Sequence, residues 1–161
     1  MAIAYLGLGA NLGDAQTTVL QAAAALREHQ AVTAFKLSSL YRSQPWGITE
    51  QPEFINAAAE LHTELPPLEL LELCLELEQQ SGRQRREKWG PRELDIDLLL
   101  YGELQLNHQR LVIPHPHLAE RLFVLQPLIE LNPQLTHPLG GQPLTQLLAE
   151  LPRSPGDLVR L

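Results

Sequence analysis

The order of hydrophobic patterns in the first thirty residues restricts the fold more than any other feature. Residues 2–9 form a short apolar run that ends in glycines, as a buried strand does. Asp14 stands where a helix N-cap belongs, and apolar residues follow to about His29 at the spacing of one helical face. These residues are Val19, Ala22, Ala23 and Leu26. The chain is therefore predicted to begin with a strand, a tight turn and a helix.

The remaining chain continues this alternation. Residues 32–42 and 54–62 resemble strands, and a proline pair precedes an amphipathic helix over residues 68–80. Residues 96–101 are predicted to form a strand, and 118–130 and 144–151 short helices. The order β-α-β-β-α-β predicts an α+β fold, a ferredoxin-like split βαβ sheet with helices on one face and a C-terminal extension.

Length and composition predict a single domain over residues 1–161. A chain of this length has the usual size of one domain, and it shows no repeat, low-complexity tract or linker. With 44% hydrophobic and 19% charged residues, it is not a disordered chain or a coiled coil. The single cysteine, Cys74, excludes an internal disulfide, and its place beside leucines predicts core packing rather than a nucleophile.

The sequence also predicts where the protein works. The first eight residues lack the basic segment of a secretion signal. No stretch approaches the roughly 18 uninterrupted apolar residues of a membrane span. We therefore expect a cytoplasmic protein that makes no use of a membrane.

The charge distribution predicts a small anionic ligand. The net charge of −7 argues against a protein that coats nucleic acid or an anionic membrane. Five of the twelve basic residues nevertheless fall within ten positions. They are Arg83, Arg85, Arg86, Lys88 and Arg92. Because Gly82, Gly90 and Pro91 interrupt this segment, we expect a flexible lid over phosphates, the alternative being a solvated charge run.

The glycines after the first strand do not form a nucleotide fingerprint. Gly7, Gly9 and Gly13 have the spacing GxGxxxG, and no acidic residue ends the next strand, as a dinucleotide site requires. No P-loop motif occurs either. These glycines are explained by a tight strand-to-helix turn, in which Asn11 either holds the backbone or serves a site.

The sharpest chemical motif is Asp95-Ile96-Asp97. Residues i and i+2 of a strand point to the same face, where two carboxylates repel each other unless a cation lies between them. Hard oxygen ligands without cysteine or dense histidine favour Mg²⁺. Cations just before the aspartates complete the parts of a phosphoryl-transfer site. A lone DxD pair on a solvent face is the alternative explanation.

Histidine and aromatic residues supply further candidates. His115 and His117 flank a proline, and a phosphate or nucleotide contact by His115 fits this geometry better than a zinc site. In a chain only 5% aromatic, Trp46 and Trp89 fall in segments rich in proline and glycine. Flat rings in such loops suit a flat ligand, although Phe54 and Phe123 also fit a core.

Together these motifs resemble the 6-hydroxymethyl-7,8-dihydropterin pyrophosphokinase family of folate biosynthesis. They occur in family order across most of the chain. The motifs are residues 7–14 (GLGANLGD), Tyr41-Arg42-Ser43 with Pro45 and Gly47, residues 51–57 (QPEFINA), Gly82-Arg83, residues 89–92 (WGPR) with Asp95-Ile96-Asp97, and Pro114-His115-Pro116 with Arg121 and Phe123.

The resemblance implies an activity and a set of site residues. The family transfers pyrophosphate from ATP to the hydroxymethyl oxygen of the dihydropterin, with two Mg²⁺ ions and release of AMP. By this resemblance the metals are held by Asp95 and Asp97, and Arg83 and Arg92 share in catalysis. The nucleotide contacts would be Arg83, Arg85, Arg86, Lys88, Arg92, Arg110, His115 and Arg121. The pterin contacts would be Ser43, Pro45, Trp46, Phe54, Asn56, Trp89 and Phe123.

Two other classes compete with this interpretation. An RNA-binding module can use the same split βαβ sheet, but it would display aromatic and basic residues on its central strands rather than paired carboxylates. A structural interaction protein would leave Asp95 and Asp97 unexplained. The expected partners are therefore ATP and the pterin, with no nucleic acid and no membrane, and a monomer is expected.

Overall fold

A computed structural model describes residues 1–43, 52–81, 93–154 and 156–161. Its central strands are β1 (Ala2–Ala10) and β4 (Phe54–Thr63), which pair antiparallel over their full length. Strand β5 (Asp95–Tyr101) pairs with the other edge of β1. Strands β2 (Val32–Leu37) and β3 (Tyr41–Ser43) share the outer edge of β4.

Two pairs of helices cover the two faces of this sheet. Helices α1 (Ala15–Glu28) and α2 (Pro67–Gln80) pack on one face against β1 residues such as Leu6 and Leu8. Helices α3 (Leu122–Leu131) and α4 (Leu144–Glu150) pack on the other face, against Tyr5 and Ala58. Each face is thus buried by apolar helix residues, as a two-sided sheet requires. Because α3 and α4 come from the C-terminal third, the predicted extension forms the second helical layer.

The side chains of strand β5 do not alternate regularly between the two faces of the sheet along its whole length. Ile96 and Leu98 pack on the side of α1 and α2, whereas Leu99 and Leu100 both belong to the cluster under α3. The register with β1 shifts between Tyr5 and Leu6, where β5 has one extra residue. Such a bulge places two consecutive side chains on one side and leaves Asp95 and Asp97 on the face of α3.

The structure confirms a mixed α/β fold with an antiparallel sheet, and it corrects one predicted strand. The predicted strand over residues 32–42 is interrupted after Leu37. Both Ser38 N and Ser38 Oγ bond to the backbone of Ala58, so the serine side chain occupies a place that a ladder hydrogen bond would take. Strand pairing resumes at Tyr41 on the same edge of β4.

Three short strands and one 3-10 turn were not predicted. Strands β6 (Leu106–His108) and β7 (Leu111–Ile113) form a hairpin, and β8 (Leu158–Arg160) pairs with β3. The predicted helix over residues 118–130 divides into a 3-10 turn (Leu118–Glu120) and α3, because Arg121 between them is extended. The other predicted elements lie within two residues of their observed ends.

Local contacts explain two further expectations. The Asp14 carboxylate accepts hydrogen bonds from the backbone N and the hydroxyl of Thr17, as an N-cap does, and these bonds lower its pKa. Cys74 is a free, buried thiol whose pKa burial raises to about 12. A thiol in this state packs in the core and is a poor nucleophile.

No helix in the described parts of the chain has the length and apolarity to cross a membrane.

Candidate functional site

A row of register partners crosses the sheet on the face covered by α3. Asp95 lies opposite Gly9, Gly9 lies opposite Asn56, and Asn56 lies opposite Tyr41. Because antiparallel partners project to the same face, the i, i+2 spacing predicts correctly that Asp95 and Asp97 lie side by side on one face. The carboxylates of β5 and the amide of β4 are therefore separated by a strand position without a side chain.

Two glycines of β1 lie directly opposite the carboxylates. Gly7 lies opposite Asp97, and Gly9 opposite Asp95. Both aspartates are half-buried, and neither neighbour on β1 has a side chain that could fill the space above the strand. Gly9 in particular has no free volume for one, since a Cβ there would lie 2.9 Å from Asn56 Nδ2. Of the three glycines predicted to serve a tight turn, only Gly13 has a positive φ of 61°, whereas Gly7 and Gly9 lie within β1. The absence of a side chain at Gly9 makes room for the Asn56 amide.

The donor chemistry of the aspartate pair fits Mg²⁺. Two carboxylates on one face supply hard oxygen ligands, and the strand geometry keeps them adjacent. In the described ranges, no group of three or more His, Cys, Asp or Glu side chains is placed to hold a metal ion. A metal at this pair would therefore draw further ligands from water and from a phosphate-bearing substrate, as Mg²⁺ commonly does.

Arg121 brings positive charge toward the aspartates. It is buried between the 3-10 turn and α3. Burial lowers the pKa of its guanidinium, and Asp97 and Asp95 act in the opposite direction, which shows that the three charges interact. The guanidinium carbon lies 5.5 Å from the centre of the Phe123 ring, within the range of a cation–π contact. Arg121 therefore connects the carboxylates with the aromatic part of the site.

His115 follows strand β7 by two residues, and its ring faces Asp97. Its backbone N donates to Leu99 O, and its Nε2 lies 3.9 Å from Asp97 Oδ2. Burial, followed by the charges of Arg121 and His117, lowers the pKa of His115 to about 4, so the ring is neutral near pH 7 and the contact with Asp97 is no ion pair there. His117 N donates to Nδ1 of His115, which leaves the ring proton on Nε2. His115 thus presents an N–H donor beside the carboxylate.

The predicted pterin residues on β3 and β4 lie on the same face of the sheet as Asp95 and Asp97. Ser43 and Asn56 are buried, and Ser43 Oγ donates to Asn56 Oδ1 at 2.6 Å. Phe54 is half-buried two residues before Asn56, on the same face of β4. Phe123 lies in the first turn of α3 and is also half-buried. Since α3 packs over β4, both rings border the same side of the sheet.

Arg110 has a different partner. It lies between β6 and β7, and its guanidinium pairs with Glu72 on the exposed side of α2. Both side chains are about half-exposed, at 47% and 56%. A nucleotide phosphate that reached Arg110 would therefore compete with a weak, solvated ion pair.

Several predicted site residues lie outside the described parts of the chain. Pro45 and Trp46 fall within residues 44–51. Six further predicted site residues fall within residues 82–92, as does the predicted lid. They are Arg83, Arg85, Arg86, Lys88, Trp89 and Arg92. At the described end of the first segment, Asn11 Nδ2 donates to Pro52 O, which supports the positional interpretation of Asn11.

Glu78 was not predicted from the sequence as a residue near the site. This residue lies in the last turn of α2, is 3% exposed, and accepts a 2.7 Å hydrogen bond from the backbone N of Ile96. The sequence contains a signal for it: Glu78 is four residues after Cys74 and so shares the apolar face of the helix, apart from the exposed acids Glu69, Glu72 and Glu76. An acid on an apolar helical face needs a buried partner.

Comparisons with known proteins identify relatives over most of the chain. The family model of 7,8-dihydro-6-hydroxymethylpterin-pyrophosphokinase (HPPK) matches residues 5–133. The 2-amino-4-hydroxy-6-hydroxymethyldihydropteridine pyrophosphokinase of Bacillus subtilis is 47% identical over 133 residues, which are 83% of this chain and 80% of that protein. The protein of the same name from Methylorubrum extorquens is 44% identical over 151 residues, 94% of each chain.

Solved structures show the same fold. The chain superposes on an HPPK-DHPS crystallised in complex with substrates with a TM-score of 0.73 and 15% identity, covering 92% of this chain and 43% of that one. The Plasmodium falciparum HPPK-DHPS with pteroate gives a TM-score of 0.72 at 16% identity, covering 92% and 42%. This chain thus spans less than half the length of these two-part proteins.

Proposed function

The chain belongs to the 7,8-dihydro-6-hydroxymethylpterin-pyrophosphokinase family, and from this membership we propose its reaction. It transfers pyrophosphate from ATP to 6-hydroxymethyl-7,8-dihydropterin. The products are AMP and 6-hydroxymethyl-7,8-dihydropterin diphosphate, and the reaction is a step of folate biosynthesis. The protein is thus an ATP-dependent diphosphotransferase.

One observation in the structure supports this function above the others: the aspartate pair faces Asn56 across the side-chain-free positions of β1. A phosphate-binding group and a pterin-binding group must adjoin for a hydroxymethyl oxygen to reach a phosphorus atom. The row from Asp95 on β5 to Asn56 on β4 would supply these two groups on strands that are separated only by β1. An RNA-binding surface would not combine paired carboxylates with a net charge of −7.

The reaction forms one P–O bond and breaks another, and the hydroxyl proton of the pterin is released to water. The hydroxymethyl oxygen of the pterin forms a bond to the β-phosphorus of ATP, and the bond from that phosphorus to the oxygen bridging the α-phosphate breaks, so that AMP leaves. Two Mg²⁺ ions held by Asp95 and Asp97 would neutralise charge on the phosphate oxygens. The protein's own contribution is chiefly to place the two substrates and to donate hydrogen bonds to oxygens that gain charge.

The donors proposed for the phosphates come from several elements. Arg121 offers a buried guanidinium, and His115 offers Nε2–H on the same side as Asp97. Burial of both groups increases the strength of their hydrogen bonds to phosphate oxygens. We assign the remaining phosphate contacts to cations outside the described residues and to Arg110. The former are Arg83, Arg85, Arg86, Lys88 and Arg92, of which Arg83 and Arg92 take part in catalysis.

The pterin is proposed to bind between Phe54 and Phe123. Its flat ring system suits two half-buried aromatic rings, and the Nδ2 group of Asn56 can donate a hydrogen bond to its edge. Ser43 orients the Asn56 amide. The neighbouring residues Pro45, Trp46 and Trp89 complete this proposed set.

We also propose the finer features of the fold and setting. The order β5-β1-β4-β2, antiparallel throughout, is the arrangement of a ferredoxin-like split βαβ sheet, and residues 1–161 act as a single domain. The protein is also proposed to act as a monomer. A buried free thiol is compatible with a reducing cytoplasm, and the negative net charge with the absence of nucleic-acid and membrane partners.

Incubation of the purified protein with Mg²⁺, ATP and the reduced pterin tests the reaction. We expect AMP and the pterin diphosphate in equal amounts, and no AMP when the pterin is omitted. Release of ADP would show transfer of a single phosphoryl group and contradict the proposal, as would an absence of nucleotide turnover with properly folded protein.

A further inference from the structure

Glu78 joins helix α2 to the backbone between the two aspartates. Its Oε2 accepts the N–H of Ile96 at 2.7 Å, and Ile96 is the residue between Asp95 and Asp97. The bond is buried, since Glu78 is 3% and Ile96 5% exposed. A carboxylate acceptor makes such a bond about twice as strong as a neutral one.

This bond acts at an edge of the sheet. Within the described residues, β5 lies at the end of the strand order and pairs only with β1. The N–H groups on its outer edge therefore have no neighbouring strand to define their direction. Glu78 provides that partner for Ile96 from the last turn of α2, so that β5 is held by β1 on one edge and by α2 on the other.

Rotation of the backbone at Ile96 would move both carboxylates. The side chains of Asp95 and Asp97 leave the strand immediately before and after Ile96, and their common face depends on the extended geometry of all three residues. Metal ligands must be held to within about half an ångström of their productive positions. A second support from α2 is therefore directly useful to a two-carboxylate site.

The electrostatic environment of Cys74 agrees with a position of Glu78 close to the aspartates. The pKa of the Cys74 thiol is raised by burial first, and then by the charges of Glu78 and Asp97. The carboxylates of Glu78 and Asp97 therefore both lie near the Cys74 thiol. Retaining a buried carboxylate here is costly unless the bond that it accepts is important.

We propose that Glu78 is a positioning residue for the pyrophosphoryl transfer, which acts by fixing the Ile96 N–H and thereby the directions of Asp95 and Asp97. The inference rests on the proposed function of the aspartates as metal ligands. It assigns the effect to the hydrogen bond, and predicts that an acceptor of the correct length matters more than a negative charge.

Two substitutions separate the bond from the charge. Glu78→Gln keeps the length and an acceptor oxygen, whereas Glu78→Asp keeps the charge but shortens the side chain by about 1.5 Å, one carbon–carbon bond. Glu76→Gln and Glu76→Asp on the exposed side of the same helix serve as matched controls. Three quantities are measured: amide hydrogen exchange at Ile96 without ligand, Mg²⁺ binding in the presence of a non-hydrolysable ATP analogue, and the Mg²⁺ dependence of kcat.

We expect Glu78→Asp to speed exchange at Ile96 and to raise the half-saturating Mg²⁺ concentration about tenfold or more. Glu78→Gln should raise it by only about threefold, and the Glu76 variants should match the wild type. An effect of Glu78→Gln equal to or larger than that of Glu78→Asp would assign the role to charge and overturn the proposal. So would Ile96 exchange, or Mg²⁺ dependence, that stays at the wild-type value in Glu78→Asp.

An Asp97→Asn variant in the same titrations distinguishes the two proposals. An unchanged Mg²⁺ requirement in Asp97→Asn would refute the metal site itself, and with it the role of Glu78. A raised requirement in Asp97→Asn together with a normal one in Glu78→Asp would refute the Glu78 proposal alone.

Discussion

Ser43 Oγ donates a 2.6 Å hydrogen bond to Asn56 Oδ1, which links two buried side chains on the neighbouring strands β3 and β4. Because the carbonyl oxygen of the amide is taken by Ser43, the Nδ2 group of Asn56 is directed away from it. A Cβ on Gly9 would lie 2.9 Å from this Nδ2 atom. The amide is thus held between a donor on one side and a position that tolerates no side chain on the other.

Gly9→Ala should therefore weaken pterin binding. The added methyl group must displace Asn56, since backbone and hydrogen bond leave the amide little freedom. We expect the pterin dissociation constant to rise about tenfold or more, equivalent to about 1.4 kcal/mol, with a smaller change for ATP. Gly7→Ala is the matched control, because its Cβ would meet the Leu99 side chain at 3.4 Å, an ordinary van der Waals distance. Calorimetric titration that finds equal pterin affinities for the two variants would contradict this account.

Loss of either carboxylate of the aspartate pair should remove most activity without unfolding the protein. Asp95→Ala or Asp97→Ala relieves repulsion in the free protein but deletes a proposed metal ligand. We expect a loss of about 3 kcal/mol or more of transition-state stabilisation, from the scale of comparable electrostatic effects. Steady-state kinetics at saturating Mg²⁺ measure it, with Glu103→Ala, an exposed acid just after β5, as control. Near wild-type turnover in both variants would refute the assignment.

The two rings proposed to bind the pterin can be tested against the third phenylalanine of the chain. Phe54→Ala and Phe123→Ala should raise the pterin dissociation constant much more than that of ATP, because stacking contributes about 1 kcal/mol beyond area burial for each ring. Phe35→Ala is the control, since Phe35 lies on β2 under the guanidinium of Arg27. Equal losses for both ligands would show that Phe54 and Phe123 are core residues only.

His115 should make folding stability depend on pH on the acidic side. Burial lowers its pKa from 6.5 to about 4, so the unfolded chain binds a proton that the folded chain excludes between these values. The neutral ring of His115 contributes fully to the free energy of unfolding above pH 6.5. This contribution, up to about 3 kcal/mol, is lost as the pH falls toward 4. Denaturant unfolding at several pH values should show a flatter dependence in His115→Gln than in wild type. An equally steep dependence in His115→Gln and wild type would contradict this account.

All three tyrosines should resist ionisation in the folded state. Burial raises the pKa of Tyr5 and Tyr41 to about 12, with a hydrogen-bonded glutamate adding to each, and it also raises that of Tyr101. Since the folded chain then keeps protons that the unfolded chain loses, stability is complete below pH 10 and falls as the pH rises toward 12. An ultraviolet titration of native protein should lag behind one in denaturant. Native ionisation with the midpoint of the denatured chain would contradict the buried positions.

Features that depend on local spacing were predicted well from the sequence. The Asp14 cap, the apolar face of α1 and the common face of Asp95 and Asp97 follow from the periods of helix and strand, which neighbouring residues determine by themselves. Features that depend on distant partners were missed. The interruption at Ser38 arises from Ala58, twenty residues away, and β8 is a strand only because β3 lies beside it.

Glu78 illustrates the same division within the site. Its place on the apolar side of α2 is visible in the sequence, but its partner is a backbone N–H, which every residue except proline possesses. No residue type marks Ile96 as that partner. Asp95, Asn56 and His115 were easier to propose as site residues because their side chains carry the chemistry themselves.

The short strand β8 has a consequence for the behaviour of the protein in solution. Ser43 and Tyr41 pair with Leu158 and Arg160, and Leu161 N donates to Leu40 O, so the end of the chain covers the outer edge of β3. An uncovered β-strand edge is a template for pairing with another molecule. A chain shortened by its last five residues would expose this edge, so that concentration-dependent self-association would compete with the ordered position of Ser43, although the removed residues touch no proposed ligand.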